Sequence, residues 1–393
     1  MLKSGCGLAL CLVLLLSVPV QAAEMQGELM FPLQHKHVHG SSIVECDNGD
    51  LLACWYHGSG ERSADDVVIQ GARLKKGSKT WSPVFLMADT PDFPDCNPVL
   101  FIDRNKKLWL FWVAVRANKW NNALLKYRTS EDYQGEGAPK WSWQDAIILK
   151  PGKDFSEKVK KGYDELHADS GLWAEYAPPF TRMIVEAAKD PAKIQEGWMT
   201  RVHPIQLKSG RILLPLYSDG FEFSLVGISD DDGKSWKSSG PIVGMGASQP
   251  SLVQKKDGTI LSYHRDNGNA PKRVLQAISK DEGQTWTPAK DTEIPNPGSS
   301  VEVMTLKDGR WAMIYNDEET GRHSISMALS EDEGKTWKWK RKLDEAKPRE
   351  GGFAYPSMIQ SKDGRIHVSY TYSPRGSESI KHAVFPVDWI QGK

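Results

Sequence analysis

The chain has no excess of charge of either sign: Lys+Arg and Asp+Glu each total 50 in 393 residues. Nothing in that balance suggests a protein of nucleic acids or of anionic membrane surfaces, and neither partner is expected. Long apolar runs are missing too. The run Leu8 to Val18 falls short of the roughly 20 residues of a transmembrane helix. It follows Lys3 and precedes small residues around Val20-Gln-Ala22, so residues 1–23 read as a secretory signal and 24–393 as the mature, secreted or periplasmic chain. Cysteine is scarce, at five. Cys6 and Cys11 fall in the signal, and Cys46, Cys54 and Cys96 are an odd number without metal-site spacing. Buried thiols are expected rather than a disulfide framework. There is no phosphate-binding loop, dinucleotide fingerprint or His-Glu-x-x-His, and the histidines before the first strand lack zinc spacing. Neither cofactor nor metal is expected.

What is present is repetition. Short apolar runs flank the turns Asp47-Asn-Gly-Asp50, Arg104-Asn-Lys-Lys107, Lys208-Ser-Gly-Arg211, Lys256-Asp-Gly-Thr259, Lys307-Asp-Gly-Arg310 and Lys362-Asp-Gly-Arg365. Each reads as a β-hairpin. A second turn recurs as Ser229 to Trp236, Ser279 to Trp286 and Ser330 to Trp337, in the pattern Ser-x-Asp-x-Gly-x-Thr/Ser-Trp, with degenerate copies ending at Trp81 and Trp141. There Asp accepts local N–H groups, Gly permits positive φ, and Trp anchors the loop in apolar surface. The intact units recur at about 50 residues, the period of propeller blades. Six hairpins predict an all-β fold, a six-bladed β-propeller closed so that no long sheet edge is bare. Glu28 to Leu33 is expected to be the closing outer strand. The period breaks at about 150–199, a partly helical insertion between the second and third blades, read equally as a lid or as packing on the rim.

The Trp turns on a six-fold repeat resemble the Asp-box, or BNR-repeat, propellers of the sialidase superfamily, over nearly all of the mature chain. The turn marks the architecture and not the activity. Antiparallel connectivity puts the start of the first strand, the end of the second and the start of the third of every blade on one rim. Arg265 stands where sialidases place a carboxylate-binding arginine, and Arg322 opens a run similar to the one following a second such arginine. A guanidinium suits this task because its planar fork matches a carboxylate. Tyr355, in Ala-Tyr-Pro-Ser, resembles the tyrosine nucleophile, and Asp66, or its neighbour Asp65, the acid/base aspartate. The resemblance departs at two positions. His39 replaces the first arginine, and Gln249 replaces the glutamate that activates the tyrosine; an amide cannot take a proton.

The expected substrate is therefore a glycan bearing an acidic sugar, gripped by Arg265 and Arg322, with Gln249, Glu61, Asn97 and Glu302 as further contacts on the rim. The expected activity is an exo-acting, sialidase-like glycoside hydrolase in which His39 and Asp66 (or Asp65) transfer the proton, their strands lying about 10 Å apart. A lyase acting on uronates, with His39 and Tyr355 as base and acid, is the alternative enzyme. A glycan-binding propeller without activity is the alternative outside catalysis. Linkage, stereochemistry and oligomeric state are not written in the sequence.

Overall fold

The computed structural model describes Met1 and residues 24–168 and 180–392, so the signal reading of 1–23 lies outside the described residues. Six four-stranded antiparallel sheets follow one another along the chain. The first blade comprises His37–Glu45, Leu51–Gly58, Val68–Leu74 and Phe85–Ala88. Its innermost strand contacts the innermost strands of the second and sixth blades, and the fourth blade's contacts that of the fifth. The fold is the six-bladed propeller that the repeat predicts.

Closure is by sequence exchange. The sixth blade is built from Gly351–Gln360, Ile366–Pro374 and Ser379–Phe385, and its outermost strand is Gln26–Leu29 from the other end of the chain. Gln26 pairs with Val384 and Leu29 with Lys381. The closing strand thus begins and ends earlier than the Glu28–Leu33 expected, though Met30 N–H continues the ladder to the Ile380 carbonyl. Single sheets of this size cannot bury two faces, and the apolar clusters accordingly lie between blades. Val38, Ile43 and Trp55 of the first blade pack with Ile380 of the sixth. Ile314, Met327 and Leu329 of the fifth pack with Val368 and Tyr370 of the sixth. Each large side chain so buried contributes about 1.5–3 kcal/mol. Cys46, Cys54 and Cys96 are buried free thiols in these layers.

The Trp turns are built as their chemistry requires. Asp281 accepts from Ser279 Oγ, Gln284 N, Thr285 N and Thr285 Oγ at 2.6–3.1 Å. Gly233, Gly283 and Gly334 have φ of 83°, 83° and 80°, and Trp236, Trp286 and Trp337 pack on inter-blade clusters. The insertion forms α1, Phe155–Glu165, and α2, Phe180–Ala187. Phe155 meets Trp198, Phe221 and Phe223 edge-on or tilted at centroid separations of 6.2–6.4 Å. A Cβ on Gly162 would come within 2.7 Å of Val243. The described part of the insertion packs on the third blade through α1, while residues 169–179 lie outside the described residues.

Candidate active site

Four of the six innermost strands carry the same irregularity. Register with the second strand slips between His39 and Ser42, Cys96 and Val99, Ser248 and Ser251, and Ala354 and Ser357. Gly40, Asn97, Gln249 and Tyr355 lie inside these slips, with φ of 63°, 53°, 52° and 52°. A bulge adds a residue outside the ladder and re-aims its side chain. Pro98, Pro250 and Pro356 follow the three non-glycine residues; a proline, having no N–H, suits an unpaired position. Left-handed backbone costs a non-glycine residue on the order of 1–3 kcal/mol. Three such residues about one axis indicate that side-chain direction is held there against local stability.

Tyr355 is the hub they define. It is 8% exposed, and its hydroxyl oxygen accepts from Arg265 Nη1 at 2.7 Å and Gln249 Nε2 at 3.2 Å. Three guanidinium carbons surround the ring, those of Arg201, Arg322 and Arg265 at 4.9, 5.4 and 5.9 Å from its centroid. Burial raises the phenol's pKa, but the charges of Arg265 and Arg322 and the Gln249 hydrogen bond outweigh it, and the net direction is down from 10.0. Arg322 Nη2 donates to the Gly298 carbonyl at 2.7 Å. Neither Arg265 nor Arg322 forms an ion pair with a carboxylate among the described residues, and Arg265 Nε is buried without a partner. Neither guanidinium is thus neutralised by an ion pair among the described residues, and one Nη of each already donates, to Tyr355 and to Gly298.

Sequence and structure part company at His39 and Asp66. The His39 ring lies against Tyr355, with centroids 4.1 Å apart and planes at 34°. Its Nδ1 is buried without a hydrogen-bond partner. Burial, followed by the charges of His37, Arg322, Arg201 and Arg265, holds its pKa well below 6.5; the imidazole is neutral at physiological pH. Asp66 faces elsewhere: Oδ2 takes Lys36 Nζ at 2.8 Å and Ser59 Oγ at 2.6 Å, and Oδ1 takes Ser59 N at 2.8 Å. The Lys36 and Ser59 bonds keep this carboxyl ionised. His39 and Asp66, expected to converge directly or through one water, share no direct hydrogen bond, because His39 lies within the innermost strand and Asp66 in the turn ahead of the third. Asp65 is exposed and, among the described residues, accepts only a long bond, 3.3 Å, from Asn118.

The other candidates divide. Glu61 accepts from the Tyr56 hydroxyl at 2.6 Å, and its charge reaches Tyr355. Asn97 donates to the Tyr217 hydroxyl at 3.1 Å. Glu302 is corrected from a substrate contact to a tie between blades, since His203 Nδ1 at 2.6 Å and Met358 N at 2.7 Å occupy its two oxygens. The sequence reading gave no role to Arg201, which is 2% exposed and donates to the carbonyls of Ser41 (3.1 Å) and Pro356 (3.0 Å). It also gave none to the neighbouring carboxyls Asp219 and Glu222. Burial raises both, Glu222 to about 7 with help from Asp219, against the opposing charge of Arg265. The recurrent X-Pro at the start of the innermost strands was the available signal for the bulges. For Arg201 the only signal was its place on the rim, ahead of the third blade's first strand.

Fold and site together define a divergent propeller of the sialidase superfamily. The chain belongs to the BNR repeat-like domain family, whose profile matches residues 49–172 and 189–368. A sialidase of Bacteroides fragilis (strain YCH46) is 26% identical over 347 residues, 81% of this chain and 57% of that protein. A sialidase of Micromonospora viridifaciens is 24% identical over 264 residues, 62% of this chain and 38% of that one. The chain thus spans about two-fifths to three-fifths of the length of these relatives. Among solved structures, the leech intramolecular trans-sialidase matches with a TM-score of 0.68 at 14% identity, over 93% of this chain and 71% of that one. The intramolecular trans-sialidase of Ruminococcus gnavus matches at 0.65 and 15%, over 90% and 95%. A Dyadobacter fermentans protein of unknown function matches at 0.66 and 18%, over 92% and 99%.

Proposed function

We propose that the protein is an exo-acting glycoside hydrolase that releases a terminal acidic sugar, sialic acid or a close relative, from glycans. One observation carries this reading: Arg265 and Arg322, neither ion-paired with a carboxylate among the described residues, both stand against a buried tyrosine, Arg265 at its hydroxyl and Arg322 beside its ring. The sugar carboxylate takes the two forks, and the Tyr355 oxygen faces the anomeric carbon as nucleophile, an exception to the two-carboxylate scheme. The nucleophile's electrons form the tyrosyl–sugar bond as the glycosidic bond breaks, and the leaving oxygen takes a proton. To donate that proton Asp66 must first leave Lys36, whereas Glu222, with its pKa raised to about 7, is in part already protonated. Water then cleaves the tyrosyl–sugar bond, giving its proton to the group that protonated the leaving oxygen and returning the electrons to the Tyr355 oxygen. Neutral His39 occupies the place of the first arginine and packs the ring. The reading 1–23 as a secretory signal fits a glycan substrate outside the cytoplasm.

The test is product analysis with sialylated and uronate-bearing glycans, plus mass spectrometry of acid-quenched protein. Free acidic sugar and an adduct on the peptide containing Tyr355 are expected, and both disappear in Tyr355→Phe. An unsaturated product absorbing in the near ultraviolet means a lyase with neutral His39 as base. Saturable glycan binding with no product means a lectin-like propeller. Either result overturns the hydrolase.

A further inference from the structure

Gln249 stands where a base for Tyr355 would be needed, yet an amide side chain accepts no proton at physiological pH. The hydrogen bonds around the hydroxyl run the other way. Arg265 Nη1 and Gln249 Nε2 both donate to the Tyr355 oxygen, and Tyr355 donates to no acceptor among the described residues. An oxygen that receives two N–H bonds and has nowhere to place its own proton suits a phenoxide. Beneath the ring lies Arg201. Its guanidinium carbon is the nearest of the three to the ring centroid, at 4.9 Å. It is fixed by carbonyls of the first and sixth blades, Ser41 and Pro356, and no carboxylate among the described residues is salt-bridged to it. A buried, unpaired guanidinium is costly. A negative charge on Tyr355 relieves that cost, and also those of Arg265 and Arg322.

We infer that Arg201 is a positioning residue standing in for the missing base: with Arg265 and Arg322 it forms a cationic cage in which Tyr355 loses its proton to solvent and rests as a phenoxide. The cage is assembled across the axis, from the third, fourth, fifth and sixth blades. The other groups facing it do not replace this role. Glu61 opposes the ionisation and His39 is neutral. Tyr56 and Tyr217, also in the bowl, are pushed upward instead, first by burial and then by the carboxylates beside them, Glu61 and Asp219. Glu302, which acts favourably on Arg201, is itself bonded to His203 and the Met358 amide.

The inference deepens the proposed hydrolase but is tested without turnover, so the two readings fail separately. In ultraviolet titration, the phenoxide band of one tyrosine is expected to persist to neutral pH and to be missing from Tyr355→Phe. Arg201→Met is expected to raise the midpoint of that titration, by less than Arg265→Met raises it. Arg201→Lys, which keeps the charge, is expected to restore most of the shift. If hydrolysis occurs, the acidic limb of the kcat/KM profile moves upward with the midpoint. An ordinary tyrosine titration in the wild type, or a folded Arg201→Met with an unmoved midpoint, overturns the inference. Should Arg201→Met not fold, the wild-type titration and Arg201→Lys still decide it: loss of the band in a folded Arg201→Lys counts against charge as the cause.

Discussion

Replacing Arg265 by Met separates a residue kept for chemistry from one kept for stability. In the wild type its Nη1 lies 2.7 Å from the Tyr355 hydroxyl, its Nε is buried without a partner, and no carboxylate of the described residues pairs with it. For the fold, the desolvation cost of this charge is already offset by Tyr355, Tyr217 and Asp219 around it, so removing cost and compensation together, with a methionine of similar length in the space, leaves a small net change. The melting temperature is therefore expected to change little. For the site, the substrate carboxylate loses one charged fork, and hydrogen bonds to charged groups are worth about 1.5–3 kcal/mol. At about 1.4 kcal/mol per tenfold, this is roughly a 10- to 150-fold loss of kcat/KM. The assays are calorimetry and steady-state kinetics with a chromogenic aryl sialoside; for a non-hydrolysing protein, calorimetric binding of the acidic glycan replaces kinetics. A variant that melts several degrees lower shows that Arg265 is a structural tie. One that keeps full activity and affinity removes it from the clamp.

Two further outcomes follow from the architecture and the buried histidines. Asp281→Ala removes four local hydrogen bonds in a Trp turn and is expected to lower stability by about 1–3 kcal/mol with kcat unaltered. Altered catalysis in a folded variant would contradict the separation of turn and site. Burial holds His264 at about 3 in the fold, against 6.5 as reference, so unfolding takes up a proton between these values. Its contribution to stability is present above pH 6.5 and is lost as pH falls toward 3, with a slope of up to about 1.4 kcal/mol per pH unit. Denaturant titrations of wild type and His264→Gln at pH 6 and pH 4.5 isolate that slope. Parallel stability curves in the two proteins would show that His264 does not titrate in this way.

Propeller architecture was legible in the chain because each blade is written locally. The Asp-Gly hairpins and Ser-x-Asp-x-Gly-x-Thr/Ser-Trp turns satisfy their own backbone groups within eight residues, so their meaning survives without the rest of the molecule. The same locality made Arg265, Arg322, Gln249 and Tyr355 recognisable, since each holds a fixed position relative to such a turn. Direction and partnership were not local. Whether His39 met Asp66 or Tyr355 depended on which side of a bulged strand it occupied, and whether Glu302 was free depended on His203, a residue 99 positions away. Arg201 had no motif because its role comes from carbonyls 160 and 155 residues distant.

The sequence by itself determined six repeated sheets and the kinds of side chain offered at their rim, because hairpins and turns are set by short-range backbone preference. Only tertiary closure decided which charges share a dry space, because Coulomb energy depends on distance and burial, and both are properties of the assembled ring.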